Sequence, residues 1–193
     1  MTERMAVKSA TDILRREHEA IVRMLDVSAV VADRLSAGRR VEPEILTQLL
    51  DFFRLFADRC HHGKEEDLLF PLLERKGLLR AGGPIGVMMD EHTQGRAQME
   101  GMSAAAEAYG NGDTDAGRRW ATAMNRYATL LRQHIDKENQ ILFVLADRLL
   151  SAAEQAEMVA AFERAEVEKM GAGTHERLHA LMDQLSAAIL PCG

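Results

Sequence analysis

Cysteine, proline and aromatic residues are scarce in this chain of 193 residues. The two cysteines, Cys60 and Cys192, are too few for a small disulfide-linked scaffold, and their scarcity favours a reducing, cytoplasmic setting. Aromatic residues make up 5% of the chain, and no run of alternating β-branched residues predicts a strand. Helix-forming Ala, Leu, Met, Glu and Arg abound. We therefore expect an all-α fold.

Long apolar runs and clusters of basic residues are missing as well. No apolar stretch near the polar N-terminal segment is long enough for a signal peptide or a membrane span. A formal net charge of -6 argues against nucleic acid as a partner. With 47% hydrophobic residues, the length suits one globular domain. We expect a single cytoplasmic domain over residues 1–193, with neither a membrane nor a nucleic acid as partner.

Glycine and proline divide the first three quarters of the chain into four long helical segments. Their apolar residues recur at helical spacing. The predicted helices cover about 11–37, 43 to beyond 65, 84–109 and 114–149. Pro71 is expected to kink or end the second of them. Four long helices with short loops predict an up-down-up-down four-helix bundle at about 11–149.

The remaining residues predict a C-terminal helical extension at about 151–190. Ser151 and Glu154 have the spacing of a capping box, which predicts a fifth helix as far as about Met170. The stretch 171–173, Gly-Ala-Gly, is expected to break the helix and allow the chain to reverse. Thr174 is expected to cap a last helix that ends near Ile189.

A short pattern of histidine, lysine and glutamate occurs twice. Aligned without a gap, the runs 61–70 and 134–143 share identical residues at corresponding positions. The matching pairs include His61 with His134, Lys64 with Lys137, Glu65 with Glu138, and Phe70 with Phe143. Residues four apart share one face of a helix, so each run presents an imidazole and a carboxylate together. Two such turns that meet inside a protein predict a site for two metal ions.

Each of the other two bundle helices carries one histidine on an apolar face. His18 follows Leu14 by one turn, and His92 follows Met88 by one turn. Four imidazoles and two carboxylates in one core would be costly without partners, which favours bound metal over an empty polar core. Imidazole and carboxylate together suit iron. Cys60 is expected to point elsewhere, as a small core residue.

The second helix permits two registers for its His-Glu turn. His61 and Glu65 stand four apart, and so do His62 and Glu66. The alignment with the run 134–143 favours the first pair, as does the phase of the leucines that follow Glu65. His62 and Glu66 would then lie about 100° around the helix, nearer the surface. The second register stays open as the alternative.

The pattern His18, His61-x-x-x-Glu65, His92, His134-x-x-x-Glu138 resembles the hemerythrin-like (HHE cation-binding) domain. The resemblance implies a non-haem centre of two Fe ions joined by an oxo or hydroxo bridge. The four histidines would be terminal ligands, and the two glutamates would bridge the irons. It further implies a protein that binds or senses O2, NO or iron. A di-iron oxidoreductase acting on peroxide or NO, or an iron donor in iron-centre repair, is the alternative.

The sequence departs from the oxygen-carrying hemerythrins in the third helix. Those proteins place a second histidine four residues from the first there, whereas Met88 and Arg96 flank His92 at that distance. One coordination position on each iron is therefore expected to stay open. His175 in the C-terminal extension is a candidate to fill one of them. His179 is the alternative, and a surface helix with two solvated histidines is the third possibility.

Overall fold

The computed structural model describes residues 9–171 and 173–190, so Cys192 and Ala172 lie outside the described residues. Within these ranges the chain forms six helices and no strand, which confirms the all-α prediction. They are α1 (Ala10–Ser36), α2 (43–75), α3 (Pro84–Gly110), α4 (115–149), α5 (Ala152–Met170) and α6 (Thr174–Ile189). None of these described helices has a stretch long and apolar enough to cross a membrane.

The core consists of two apolar clusters at different levels of the bundle. The lower cluster contains Ala10, Leu14, Leu69, Phe70, Leu73, Ile85, Met88, Leu142, Phe143, Ala146, Leu150, Met158 and Phe162. The upper cluster is built around Met24, Phe53, Met102, Trp120 and Tyr127. Helices α1 and α3 pass from the lower to the upper cluster, whereas α2 and α4 pass in the opposite direction. This alternation confirms the up-down-up-down bundle.

Three π-helical turns interrupt the α-helical winding of α2 and α4. They span Phe53–His62 and Glu65–Leu69 in α2, and Glu138–Leu142 in α4. π turns are rare and frequently occur at functional sites. Because a π turn holds more residues than an α turn, successive side chains are separated by a smaller angle. More neighbouring residues can therefore face the same side.

The sequence predicts that α2 kinks or ends at Pro71, and the second alternative is wrong. The helix continues to Arg75, and Gly77, with φ at +93°, follows its cap. Proline has no N–H to donate to the preceding turn, and its ring needs space there. The π turn Glu65–Leu69 ends two residues before Pro71 and relaxes both constraints.

Helices α5 and α6 run in one direction along α1. The amide N of Ala10, at the start of α1, donates to Gln155 on α5 over 3.0 Å. Farther along α1, Arg34 donates to the Ile189 carbonyl on α6 over 3.1 Å. The expected reversal between α5 and α6 is therefore wrong. The extension nevertheless packs on the bundle, because Leu178, Met182 and Leu185 of α6 are buried in the upper cluster.

The caps of these two helices match the sequence expectation in one case only. The capping box of Ser151 and Glu154 is present, as predicted. Thr174 does not cap α6, because its hydroxyl donates to the Met170 carbonyl over 2.8 Å. Gly173, with φ at +78°, occupies the cap position instead. Its left-handed conformation favours glycine.

Candidate metal centre

Seven polar side chains fill the level between the two apolar clusters, and each is at most 3% exposed. They are His18 from α1, His61, His62 and Glu65 from α2, His92 from α3, and His134 and Glu138 from α4. All six residues singled out in the sequence meet here. His62 is the seventh.

These side chains form two adjacent groups of metal-ligand atoms. His18, His61, Glu65 and Glu138 make the first group, and His62, Glu65, His92 and His134 make the second. Within each group the ligand atoms lie within 4.8 Å of one another. Such spacing suits one metal ion per group.

The two glutamates connect the groups. Glu65 places Oε1 3.6 Å from Nε2 of His61 and Oε2 3.5 Å from Nε2 of His92. Glu138 places Oε2 3.1 Å from Nε2 of His18 and 3.3 Å from Nε2 of His134. Each carboxylate thus contacts one histidine of either group, which is the arrangement that two bridged ions require.

The centre contains buried polar atoms that make no hydrogen bond. Among the described residues, these include Nε2 of His18, His61 and His62 and all four carboxylate oxygens of Glu65 and Glu138. An unsatisfied buried polar group costs roughly 1–3 kcal/mol, more if it is charged. Imidazole nitrogen and carboxylate oxygen are good iron ligands. The residues present therefore fit a pair of metal ions.

A second layer of contacts orients the histidines through Nδ1. Nδ1 of His61 lies 2.9 Å from Glu17, and Nδ1 of His134 lies 3.0 Å from Glu91. Nδ1 of His18 lies 3.0 Å from Asn139, and Nδ1 of His92 lies 2.6 Å from Glu66. Metal-binding histidines generally use their second nitrogen in this way, which fixes the ring and raises its basicity. In all four histidines the other ring nitrogen, Nε2, faces the centre.

The centre has an internal pseudo-two-fold pattern. Glu17 precedes His18 on α1 as Glu91 precedes His92 on α3. Each of these glutamates binds the histidine of the following helix and the lysine three residues after that histidine, Lys64 or Lys137. Helices α1 and α2 thus form one half of the centre, and α3 and α4 form the other.

His62 breaks this pattern, and its expected place nearer the surface is wrong. The alignment of the two halves puts His62 opposite Ile135, a buried apolar residue. His62 is buried and its ring stacks on His92, with centroids 3.8 Å apart. The π winding of Phe53–His62 is the physical reason, because it narrows the angle between His61 and His62. The expected position of His62 near the surface applies only to regular α-helical winding.

Glu66, the other member of the alternative register, lies outside both groups. It accepts hydrogen bonds from Arg96 over 2.7 Å and contacts His92 at Nδ1. Glu66 therefore contacts His92 on the side of the ring that faces away from the ligand groups. The structure brings Glu65 and both neighbouring histidines to the centre.

Burial and charge shift the acid–base equilibria of the centre. Burial lowers the pKa of His61 to about 4 and lowers the pKa of His62 well below its usual value. Burial and the neighbouring Glu138 raise the pKa of Glu65 well above its usual range. The pKa of Glu138 is instead held well below its usual value, because His134 and His18 outweigh its burial. Two divalent cations would favour the carboxylate form of both glutamates and neutral imidazoles.

Lys64 joins the centre to the C-terminal extension. This lysine is 1% exposed, and its Nζ lies 2.5 Å from Glu17 and 3.1 Å from Glu166 on α5. Burial alone would lower the pKa of Lys64, but Glu17 and Glu166 raise it above its usual value. Burial alone would raise the pKa of Glu17, but its contacts with His61 and Lys64 lower this pKa to about 2.

Of the three alternatives for the C-terminal histidines, the two in which His175 or His179 binds iron are wrong, because both residues lie outside the two ligand groups. Nδ1 of His175 lies 3.0 Å from Glu166, and its ring packs on Phe56, so Glu166, Lys64 and Glu17 separate it from His61. Cys60 is buried and lies outside both ligand groups, as expected of a small core residue. Its thiol lies within 4.8 Å of a carboxylate oxygen of Glu17 and of Glu166.

A cleft of about 560 Å³ between α1 and α4 leads to His18. Its other lining residues are Arg15, Glu19, Val22, Arg23, Asp26, Ile135, Asp136 and Asn139. Leu14 and Met88, which precede His18 and His92 by one turn, are buried in the lower cluster and do not line this cleft. The approach to His18 is mostly charged, with Val22 and Ile135 as its apolar members.

Known proteins share parts of this sequence. The chain is 28% identical over 163 residues to uncharacterized protein Rv1995 of Mycobacterium tuberculosis and, equally, to uncharacterized protein Mb2018 of Mycobacterium bovis. The match covers 84% of this chain and 63% of each relative, so the chain spans less than two thirds of their length. It is also 36% identical over 90 residues to iron-sulfur cluster repair protein YtfE of Yersinia pseudotuberculosis, covering 46% of this chain and 41% of that protein. No solved structure matches the chain significantly.

The family comparison agrees with the centre's geometry. The profile of the hemerythrin HHE cation-binding domain matches residues 9–146, which include the first three bundle helices and α4 as far as Ala146. The matched segment holds every residue of the two ligand groups. The chain therefore belongs to the hemerythrin HHE cation-binding family and is an iron-binding, hemerythrin-like protein.

Proposed function

We propose that the chain holds two iron ions in the centre between the two apolar clusters. His18 and His61 would bind one ion, and His62, His92 and His134 would bind the other. Glu65 and Glu138 would bridge them. The observation that carries this proposal is the set of buried Nε2 and carboxylate atoms that make no hydrogen bond and converge in two groups.

The two ions would differ in their protein ligands. Three histidines and the two glutamates would hold one ion, whereas two histidines and the two glutamates would hold the other and would leave it a position for a small ligand. His18, one of those two histidines, lines the α1–α4 cleft. An iron pair supplies one-electron redox chemistry and a binding position for O2 or NO. We infer that a small ligand of this kind enters through the cleft.

Burial of the whole centre supports binding or sensing over iron donation. All seven side chains are at most 3% exposed, and four of the histidines are held from behind by Glu17, Glu66, Glu91 and Asn139. A site of this kind would release its metal slowly. Similarity to the iron-sulfur cluster repair protein supports iron donation as the second candidate. Turnover of peroxide or NO is the enzymatic alternative to be tested.

Ligand binding through the cleft can be distinguished experimentally from iron donation and from enzymatic turnover. Azide or NO should bind the reconstituted protein with one equivalent per chain, and Val22→Trp in the cleft wall should slow binding without lowering iron content. Val30→Trp, farther along α1, is the control. Iron transferred to a cluster-free acceptor protein in a mixture of the two would favour donation. Steady consumption of peroxide would favour an enzyme.

A further inference from the structure

Two further histidines, both on α6, lie outside the metal centre and line a cavity. The cavity measures about 320 Å³ and is lined by Ile13, Arg16, Glu17, Phe56, Glu166, His175 and His179. His175 and His179 stand four residues apart on α6, and their Nε2 atoms lie 2.9 Å from each other. Two imidazole nitrogens that converge from one helix face are a chelating pair.

His175 has a carboxylate beside its Nδ1, as His61 does in the main centre. Nδ1 of His175 lies 3.0 Å from the Glu166 carboxylate without forming a hydrogen bond, whereas Nδ1 of His61 hydrogen-bonds Glu17 over 2.9 Å. The second nitrogen of a metal-binding histidine generally faces such a group. In both residues, Nε2 is directed away from the carboxylate and towards other imidazoles. Phe56 contacts both rings of the α6 pair and restricts their rotation.

We propose that His175 and His179 bind one divalent transition-metal ion through Nε2, in a site separate from the di-iron centre. Water would complete the coordination from the cavity. Two imidazoles favour the later first-row ions, with Cu²⁺ bound most tightly and Zn²⁺ and Ni²⁺ less so. The ion replaces any proton on Nε2, so its binding releases a proton into the cavity. This site does not depend on the identity of the metal in the main centre.

The position of the pair gives the second site a direct connection to the main centre. From His175 the contacts run to Glu166 over 3.0 Å, to Lys64 over 3.1 Å, to Glu17 over 2.5 Å and to His61 over 2.9 Å. An ion on the pair is thus linked to one ligand of the main centre through charged side chains alone.

Copper provides a probe whose signal identifies its ligands. One equivalent of Cu²⁺ is added to the full-length, iron-loaded protein, and pulsed electron paramagnetic resonance counts the coordinated imidazoles. We expect two imidazoles per copper in the native protein, and one or none in His175→Gln and His179→Gln. Glu176→Gln, an exposed neighbour on the same helix, is the matched control and should keep the native signal.

The outcomes separate this proposal from the di-iron proposal. Iron is quantified in each sample before and after copper is added. Copper that displaces iron, or a copper signal that both glutamine variants keep, would overturn the second site. A proton shared between the two imidazoles, with no stoichiometric copper binding, would do the same. A chain that loads no iron contradicts the main centre, whereas a copper signal lost in His179→Gln still supports the α6 pair.

Discussion

Glu17 accepts a hydrogen bond from His61 over 2.9 Å, and this contact has a counterpart on the other side of the centre. There Glu91 faces His134 at 3.0 Å. Each glutamate directly precedes a second predicted ligand, His18 or His92, on its own helix. Helix α1 therefore supplies the ligand His18 and the residue that orients His61 on α2. Helix α3 supplies His92 and the residue that orients His134 on α4.

Removing either orienting carboxylate should weaken iron binding. In Glu17→Gln and Glu91→Gln, the iron affinity should fall by about 10- to 100-fold, because the histidine loses its oriented and more basic state. Competition with a coloured iron chelator measures the affinity. Glu100→Gln, at an exposed position on α3, should bind iron as the native chain does. Equal affinities in all four proteins would show that the second layer does not orient the ligands.

The two lysines of the pseudo-two-fold pattern should differ in their contribution to stability. Lys64 is 1% exposed and pairs with Glu17 and Glu166, whereas the side chain of Lys137 is 36% exposed and pairs with Glu91. Removing one partner of a buried ion pair costs about 3–5 kcal/mol. Removing one partner of a more exposed ion pair costs about 1 kcal/mol or less.

Urea unfolding of Lys64→Met and Lys137→Met measures this difference in the free energy of unfolding. The Lys64 variant should lose several times more stability, and its α5–α6 segment should become sensitive to protease. Equal losses in the two variants would mean that the contact with α5 contributes nothing beyond the pair with Glu17.

His62 should determine how many small ligands the centre accepts. His62→Ile gives the first half the residue that the second half has at Ile135. The variant should keep its iron through the remaining six ligands but open a position on the second ion. Azide titration followed by absorbance should then reach two equivalents per chain instead of one. A native azide stoichiometry in a variant with full iron content would exclude His62 as a ligand.

Much of the fold and the centre can be predicted from the sequence because the signals are local and repeated. The long periodic segments between glycines predict four bundle helices, and the matching runs 61–70 and 134–143 predict the His-Glu turns. His18 and His92 follow from their apolar neighbours. These arguments require only the geometry of a regular helix.

The features that sequence reasoning missed depend on irregular winding or on contacts between distant segments. π turns in α2 carry His62 into the centre, and an α-helical wheel places it elsewhere. One signal was available, since the residue aligned with His62 is the apolar Ile135. The pairing of Glu17 with His61 and Lys64 joins residues 44 and 47 positions apart and cannot be read from either segment alone.

The two bridging glutamates should be essential for holding the metal pair. Glu65→Ala combined with Glu138→Ala removes both carboxylates that contact the two ligand groups, and most of the iron should be lost after gel filtration. Glu100→Ala combined with Glu163→Ala, at exposed positions, is the matched control and should keep its iron. Full iron content in the Glu65/Glu138 variant would refute the bridging assignment.

Mössbauer spectroscopy of the native chain reconstituted with ⁵⁷Fe tests the central claim most directly. The centre described above should hold two irons per chain. In the oxidised state their spins should couple, leaving no paramagnetic signal, and the unequal histidine counts should give two distinct quadrupole doublets. A single iron per chain, or two uncoupled ferric ions, would contradict a di-iron centre bridged by Glu65 and Glu138.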